Sequence, residues 1–165
     1  MSKKKIMAAP SPPTLIIGSV EWVALPELGI NRIRARVDTG AKTSALCTAN
    51  QEVFKKKRKK WVRFSLHIGS PKPTKAKICE APLKGTRIVR SASGEPEKRL
   101  VIESTLHLGW EKWIIELTLT DRRQMSHRLL LGRSAMQDRV LVNPSHTYLH
   151  GQPLGPKTRL GVKTL

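Results

Sequence analysis

The sequence predicts a single, mostly-β domain. Residues 33–37 and 61–68 alternate apolar with polar side chains, as a strand with one buried face does, and residues 113–119 form a further strong strand signal. Clusters of Gly, Pro, Ser and Asp separate these stretches and favour turns. Only residues 134–138 have helical character. A chain of 165 residues fits one domain with a hydrophobic core.

The predicted domain spans residues 14–150. Residues 1–13 combine three lysines with three prolines and are expected to be a disordered basic tail. Residues 151–165 are rich in Gly and Pro and are expected to be an irregular C-terminal tail. In the first half of the domain, strands are predicted at 15–17, 20–25, 33–37 and 61–68, with a turn at 26–29 and a strand or loop at 41–49.

The second half continues the same pattern of strands and turns. Strands are predicted at 76–80, 86–90, 99–108, 113–119, 129–131 and 140–142. Residues 91–96 and 121–123 carry turn residues. With an aromatic share of only 4%, the core must be built from Leu, Ile and Val.

The strand at 33–37 leads directly into Asp38. Thr39 and Gly40 suit a tight loop, because Gly tolerates backbone angles closed to other residues. An aspartic peptidase needs a short carboxylate held this way, since its chemistry uses two Asp side chains that share one proton. The alternative is a strand that ends in an ordinary Asx turn. We therefore predict Asp38 as the catalytic carboxylate, with Thr39, Gly40 and Ala41 as its scaffold.

A second motif stands near the end of the domain. Leu-Leu-Gly-Arg, which contains Gly132 and Arg133, is an apolar strand that runs into the helix-like segment. Asp-Thr-Gly-Ala followed later by Leu-Leu-Gly-Arg resembles the retropepsin-like aspartic peptidases. The resemblance implies a retropepsin-like closed β-barrel or sandwich with one short helix after this motif. It also implies that Gly132 and Arg133 support the floor of the site.

A narrower resemblance covers residues 18–149. It rests on Glu-Trp-Val-Ala-Leu-Pro-Glu-Leu-Gly, Val-Asp-Thr-Gly-Ala-Lys-Thr-Ser-Ala-Leu, Glu-Leu-Thr-Leu-Thr-Asp-Arg and Leu-Leu-Gly-Arg-Ser-Ala-Met, in that order. This set is similar to the RimB-like family, also labelled ATP-dependent zinc proteases and associated with RimK-type glutamate ligases. The resemblance implies an aspartic peptidase. Its link to the ligases suggests a glutamylated protein tail as substrate and a RimK-type ligase or ribosomal component as partner.

The residues do not support the words of that label. A nucleotide site would need a Gly-x-x-x-x-Gly-Lys-Ser/Thr loop, and a zinc peptidase would need His-Glu-x-x-His or similar spacing; the sequence has neither. His146 and His150 are four apart, but in a strand that spacing spans about 13 Å. We therefore expect no metal and no cofactor. Cys47 could be a nucleophile beside a histidine or a small packed residue, and packing is the simpler interpretation.

The formal net charge of +19 points to an acidic partner. Six consecutive cations carry much of it: Lys55, Lys56, Lys57, Arg58, Lys59 and Lys60. The resemblance places this run at a hairpin turn, so a solvated loop is one interpretation. The other is a contact with phosphate or with a polyacidic chain.

Two further predictions follow from retropepsins. The turn at Ser93 and Gly94 lies between the two motifs, where a retropepsin carries its flap; an ordinary hairpin is the alternative. Retroviral enzymes carry an acidic residue at the position of Lys42, where it pairs with the arginine after the second Gly. Arg133 must therefore have a different partner in this chain.

A homodimer is predicted from a count of aspartates. The mechanism needs two, and the chain has only Asp38, Asp121 and Asp138, of which Asp38 alone stands on an Asp-Thr-Gly loop. A two-fold axis would supply the second carboxylate.

The predicted function is peptide-bond hydrolysis with Asp38 activating water. The rival is a non-enzymatic adaptor that binds a ligase, a ribosomal component or nucleic acid through its basic surface. Cys47 and Cys79 form no Cys-x-x-Cys pair, so a reduced, cytoplasmic protein is expected. No apolar run approaches the length of a membrane helix, so no membrane partner is expected.

Overall fold

A computed structural model describes residues 15–67, 76–91, 93–122 and 126–151. Within them the chain is mostly strand. The strands, numbered β1 to β12, are Leu15–Ile17, Val20–Leu25, Ile30–Val37, Ser44–Cys47, Ala49–Lys56, Lys59–His67, Ala76–Pro82, Gly85–Arg90, Pro96–Leu108, Glu111–Thr120, Leu129–Leu131 and Val140–Val142. The predicted mostly-β fold is confirmed. Three predictions concern residues outside the described ranges. They are the tail at 1–13, the part of the C-terminal tail after Gly151, and Ile68 at the end of the strand predicted at 61–68.

Six strands close into a barrel in the order β10, β4, β11, β3, β2, β9, with β9 pairing back to β10. The closed barrel predicted from the resemblance is therefore confirmed. Two of the pairings, β10 with β4 and β11 with β3, are parallel, and the others are antiparallel. Strand β8 extends the barrel wall beyond β9 as a hairpin.

Two smaller sheets flank the barrel. Strands β5, β6 and β7 form a three-stranded antiparallel sheet. Strands β1 and β12 form a parallel pair, in which Leu15 lies opposite Val140 and Ile17 opposite Val142. Because β1 and β12 come from opposite ends of the domain, this pair joins those ends.

The core consists chiefly of aliphatic side chains, as the low aromatic content predicts. Phe64 is the largest fully buried side chain, and most of the others are leucine or isoleucine. Their alternation along the strands places one face of each strand inside. The large, fully buried aliphatic residues of the barrel strands include Leu25, Ile30, Leu46, Ile102, Leu106, Leu108, Leu117, Leu119 and Leu129.

The predicted helix is present but begins one residue earlier and ends two residues earlier, at Arg133–Met136 (α1). It buries Ala135 and Met136, and the Trp113 indole N–H donates to the Ala135 carbonyl at 2.8 Å. Asp138, placed in the helix by prediction, has a left-handed φ of 60° and lies in the turn that follows. No helix in the described part of the chain is long and apolar enough to cross a bilayer.

Candidate active site

The barrel topology brings the two sequence motifs together. Strands β3 and β11 are parallel neighbours, with Val37 opposite Leu131, so both strands end at the same edge. Asp38 follows the first strand and Gly132 follows the second. The Asp38 backbone N–H donates to the Leu131 carbonyl at 2.9 Å, which fixes the start of the loop against the second motif.

Asp38 is oriented by its own loop. Its Oδ1 accepts the backbone N–H of Gly40 at 2.9 Å and that of Ala41 at 3.2 Å. These two donors hold the carboxylate in one position. The side chain is half-buried, while Thr39 and Gly40 are exposed. A fixed, partly exposed carboxylate can act on a solvent molecule or on a bound peptide.

The segment Gly132–Ser134 braces this loop through backbone contacts. The Arg133 N–H donates to the Ala41 carbonyl at 2.8 Å, and the Ser134 N–H and hydroxyl both donate to the Lys42 carbonyl, at 3.0 and 2.8 Å. The Arg133 guanidinium donates to the Thr39 carbonyl at 3.0 Å. The partner that Arg133 needs in place of an acidic side chain is therefore a backbone oxygen of the Asp38 loop.

A buried polar chain supports the same loop from inside the barrel. Arg99, only 6% exposed, binds Glu97 through two nitrogens at 2.8 and 2.9 Å, and its third lies 3.5 Å from the Thr118 hydroxyl. The Thr118 hydroxyl donates to the Ser44 carbonyl at 2.9 Å. The Ser44 hydroxyl in turn accepts the Gly132 N–H at 3.0 Å. Satisfied networks of this kind rigidify a core.

Asp38 forms part of the wall of a cavity of about 1010 Å³. The Asp38 loop forms one part of the wall and the β8 hairpin forms another. The other walls come from β9 and β10 and from the residues after β10. Its charged lining residues are Asp38, Lys42, Arg87, Arg90, Arg99, Glu103, Glu116 and Arg122.

Two cavity carboxylates are neutralised by cations of the hairpin. Lys84 binds both Glu103 and Glu116, the latter at 3.0 Å, and Arg87 lies 2.7 Å from Glu116. The hydrogen bond from Lys84 holds the pKa of Glu116 below its ordinary value, against the opposing effect of burial. Glu116 is therefore an ionised structural anion and a poor candidate for a shared proton.

Residues 16–153 match the RimB-like family, described as retropepsin-like aspartic endopeptidase RimB. The chain belongs to the RimB-like family. The resemblance drawn from the sequence motifs is thereby confirmed, together with the protease-like fold that it implies.

Relatives of this RimB-like chain carry a different name. A protein of Shewanella pealeana named "Probable alpha-L-glutamate ligase" is 45% identical over 154 residues, covering 90% of this chain but 33% of the relative. Proteins of the same name from Shewanella halifaxensis and Desulfotalea psychrophila are 46% and 44% identical, covering 30% and 28% of their lengths. The chain thus spans about a third of the curated relatives it matches.

A solved structure has the same fold. The crystal structure of a Legionella pneumophila protein of unknown function matches with a TM-score of 0.69 and 29% identity. The match covers 82% of the RimB-like chain and 98% of the Legionella protein. The fold described above therefore occurs in an experimental structure of similar extent.

The predicted flap residues lie at the end of the β8–β9 hairpin in the RimB-like chain. Ser93 and Gly94 are exposed, and the Gly94 N–H donates to the Ser91 carbonyl at 2.8 Å to close the turn. Ser91, at the base of the turn, lines the cavity together with residues 87–90. The hairpin thus borders the same cavity as Asp38, and its role as a flap stays a prediction.

The basic run lies elsewhere, at the turn between β5 and β6, outside the lining of the cavity. All six of its cations are exposed. The basic run and the Asp38 loop therefore belong to different sheets.

Cys47 is buried, and its sulfur contacts two arginine residues. Its thiol donates to the Arg122 carbonyl at 3.0 Å, and an Arg128 nitrogen lies 3.6 Å from the sulfur. The structure therefore supports the packed interpretation of Cys47. Over the described ranges, no three His, Cys, Asp or Glu side chains are grouped to hold a metal ion; that none binds remains a prediction.

Several residues of the site were not predicted. Ser44 and Ser134 stand inside the quoted motifs, but a hydroxyl on a loop gives no signal of its partner. Arg99 is the only charged residue among the buried positions of β9, and that interruption is a signal for a buried polar contact. The cavity cations Arg90 and Arg122 depend on strand pairing that the sequence does not contain.

Proposed function

We propose that this RimB-like chain forms half of an aspartic endopeptidase, with Asp38 as its catalytic carboxylate. The observation that carries the proposal is the position of Asp38. Two backbone N–H groups hold its Oδ1, the Gly132–Ser134 segment braces its loop, and the side chain reaches a cavity large enough for a peptide. The family description names the same activity.

The reaction needs a second carboxylate that shares a proton with Asp38. The ionised member accepts a proton from water as its oxygen attacks the peptide carbonyl, and the protonated member donates to the carbonyl oxygen. Glu103 and Glu116 also line the cavity, but Lys84 and Arg87 already neutralise them. We therefore propose that Asp38 of a second copy completes the site across a two-fold axis.

The proposed substrate is an acidic peptide. Lys42, Arg90 and Arg122 line the cavity, and none has a carboxylate partner among the described residues. Unpaired cations in a cleft favour anionic side chains. The relatives' printed name, a glutamate ligase, makes a glutamate-rich protein tail the substrate we propose, with a RimK-type ligase or a ribosomal component as partner.

A second candidate function is a non-enzymatic adaptor. It is favoured by one observation: the chain matches about a third of relatives named as ligases. In that case the cavity would bind a glutamate-rich chain without cleaving it, and Asp38 would only shape its loop.

Cleavage assays separate the two candidates. Purified protein is incubated with glutamate-tailed and matched glutamine-tailed peptides, and products are identified by mass spectrometry. We expect cleavage of the glutamate-tailed peptides and a loss of at least about 100-fold with Asp38→Asn, the usual minimum for removing an acid–base group.

The matched control is Asp138→Asn. Asp138 has a left-handed backbone, which Asn adopts as readily as Asp, so this variant should keep full activity. Binding of the acidic peptide without cleavage by the wild-type protein would favour the adaptor. Full cleavage by Asp38→Asn would refute the peptidase proposal.

A further inference from the structure

The basic arm, which we define as Lys55, Lys56, Lys57, Arg58, Lys59 and Lys60, projects beyond its sheet. Strand β7 pairs with β6 as far as Pro82, opposite Trp61, and one further backbone hydrogen bond runs from the Leu83 N–H to the Lys60 carbonyl at 2.9 Å. Past that bond β5 and β6 continue as a two-stranded ribbon that ends in the turn at Lys57 and Arg58. All six side chains of the arm are exposed.

The residues of the basic arm destabilise the hairpin that they form. Lys55 lies opposite Lys60, and Lys56 opposite Lys59, and like charges directly across a strand pair are destabilising. Lys57 and Arg58 have φ values of 49° and 64°, both left-handed. Such turns favour Asn-Gly, because side chains are strained at these angles. No local contact explains why cations occupy the turn.

Within the arm, only the charge of Lys56 is compensated by contacts in the described part of the chain. Lys56 lies 3.4 Å from Glu80 and 4.5 Å from the centre of the Trp61 ring. Arg63, just outside the arm, binds Glu80 and Glu52 and lies over the Phe54 ring. In the described part of the chain, no carboxylate pairs with the other five cations, Lys55, Lys57, Arg58, Lys59 and Lys60.

We propose that the basic arm binds the phosphate backbone of a nucleic-acid duplex. A two-stranded β-ribbon is one of the elements that fit the major groove of B-form DNA, and its two strands present cations to the phosphate strands on both sides. A duplex carries about one charge per 1.7 Å of axis, a density that matches five uncompensated cations on a short ribbon. Backbone contacts of this kind are independent of base sequence. The arm lies outside the cavity of Asp38, so this proposal does not depend on the peptidase.

The test measures fluorescence anisotropy of labelled duplexes against salt concentration. A DNA duplex and an RNA duplex of the same sequence are compared with a glutamate-rich peptide of the same net charge. For five phosphate contacts we expect affinity for the DNA duplex to fall with a log–log salt slope of about −4 to −5. Comparing DNA with RNA identifies which source of phosphate backbone is preferred.

The informative variant is Lys57→Asn with Arg58→Gly. It installs the residues that the turn favours, so the protein should unfold at the same or a higher temperature. It also removes two cations, so the salt slope should become shallower by about 2 units. The unfolding temperature is thus kept or raised while the affinity for the duplex falls. A variant that failed to fold could not give this combination.

The control removes two exposed lysines from the barrel, Lys98→Gln with Lys112→Gln, and should leave the slope nearly unchanged. Equal loss of affinity in this control would show a diffuse charge effect and overturn the proposal. So would an affinity for the glutamate-rich peptide that equals or exceeds that for both duplexes, since the arm would then recognise acidic protein. Absence of duplex binding at low salt overturns it as well.

Discussion

Gly132 is the residue at which the two halves of the site come closest. A Cβ at this position would lie 2.6 Å from the carbonyl carbon and oxygen of Thr43 and 3.0 Å from the Ala41 oxygen. Its φ of −89° is open to any residue, so the requirement for Gly comes from the close approach of backbone. The second motif can brace the Asp38 loop only because no side chain stands between them.

Gly132→Ala should lower the free energy of unfolding by about 1–3 kcal/mol, the usual effect of forcing a methyl into packed structure. The displaced atoms are backbone atoms of the Asp38 loop, so the cleavage rate should fall as well. Chemical denaturation and the peptide assay measure the two effects. Gly85→Ala is the control, because a Cβ there has no neighbour within 4 Å. Equal stability of the two variants would contradict this account.

The sequence predicted individual site residues where they belong to a short motif. Asp38 and Gly132 were identified from short motifs, and the fold places both at one edge of the barrel. The Thr39 carbonyl as the partner of Arg133 was not predictable, because a backbone acceptor leaves no trace in the sequence. The same holds for Ser44, whose hydroxyl becomes informative only once Gly132 is known to lie beside it.

At the scale of elements, ion pairs link β8 to the barrel strands β9 and β10. Lys84 lies just before β8 and Arg87 lies within it, while Glu103 is on β9 and Glu116 on β10. These contacts fix one wall of the cavity that Asp38 also lines. Their strength depends on the ionised form of the two carboxylates.

We expect acid to lower the free energy of unfolding through the protonation of Glu116 and Glu80. The pKa of Glu116 is held below its ordinary 4.5 chiefly by the hydrogen bond from Lys84, and that of Glu80 is lowered chiefly by the hydrogen bond from Arg63. A lowered pKa contributes stability that is fully present above the ordinary value and is lost as pH falls through the folded-state value. Unfolding free energy from denaturant titrations should therefore decline below pH 4.5.

Glu116→Gln should reduce that decline, because the variant has no proton to bind at this position. Glu95→Gln, at an exposed site in the hairpin turn outside the ion cluster, is the matched control. An unchanged pH dependence in Glu116→Gln would mean that other groups govern acid stability.

Strands were predictable because alternation identifies the buried face of each one. The strands predicted at 33–37 and 99–108 are longer in the structure, Ile30–Val37 and Pro96–Leu108. Pairing was not predictable from alternation, which determines a face but names no neighbour. The segment that contains β4 was therefore predicted only as a strand or loop, although β4 lies between β10 and β11 in the barrel wall.

At the scale of the whole molecule, the proposed dimer can be tested by subunit mixing. If each site needs Asp38 from two copies, an excess of Asp38→Asn protein should capture wild-type subunits in inactive mixed dimers. Peptidase activity per wild-type chain should then fall as the variant is added. Asp138→Asn, with its own Asp38 intact, should cause no such loss.

Sedimentation over a range of concentrations gives an independent measurement of the dimer. Full activity per wild-type chain at every mixing ratio, from a protein that sediments only as a monomer, would exclude a shared site.

The pairing of β1 with β12 has a consequence for how the chain reaches its native state. Glu21 is fully buried and accepts the backbone N–H of Gly18 at 2.8 Å and that of Leu149 at 3.1 Å, so it joins the same two ends. The β1–β12 pair and the Leu149–Glu21 contact are far apart in sequence, so forming them costs the entropy of closing a long loop. We therefore expect the meeting of β1 and β12 to be a late step of folding, on the millisecond-to-second timescale of β-rich topologies. Before this step, unpaired strand edges can pair with other chains. Aggregation should therefore be greatest when many newly synthesised chains fold at high concentration.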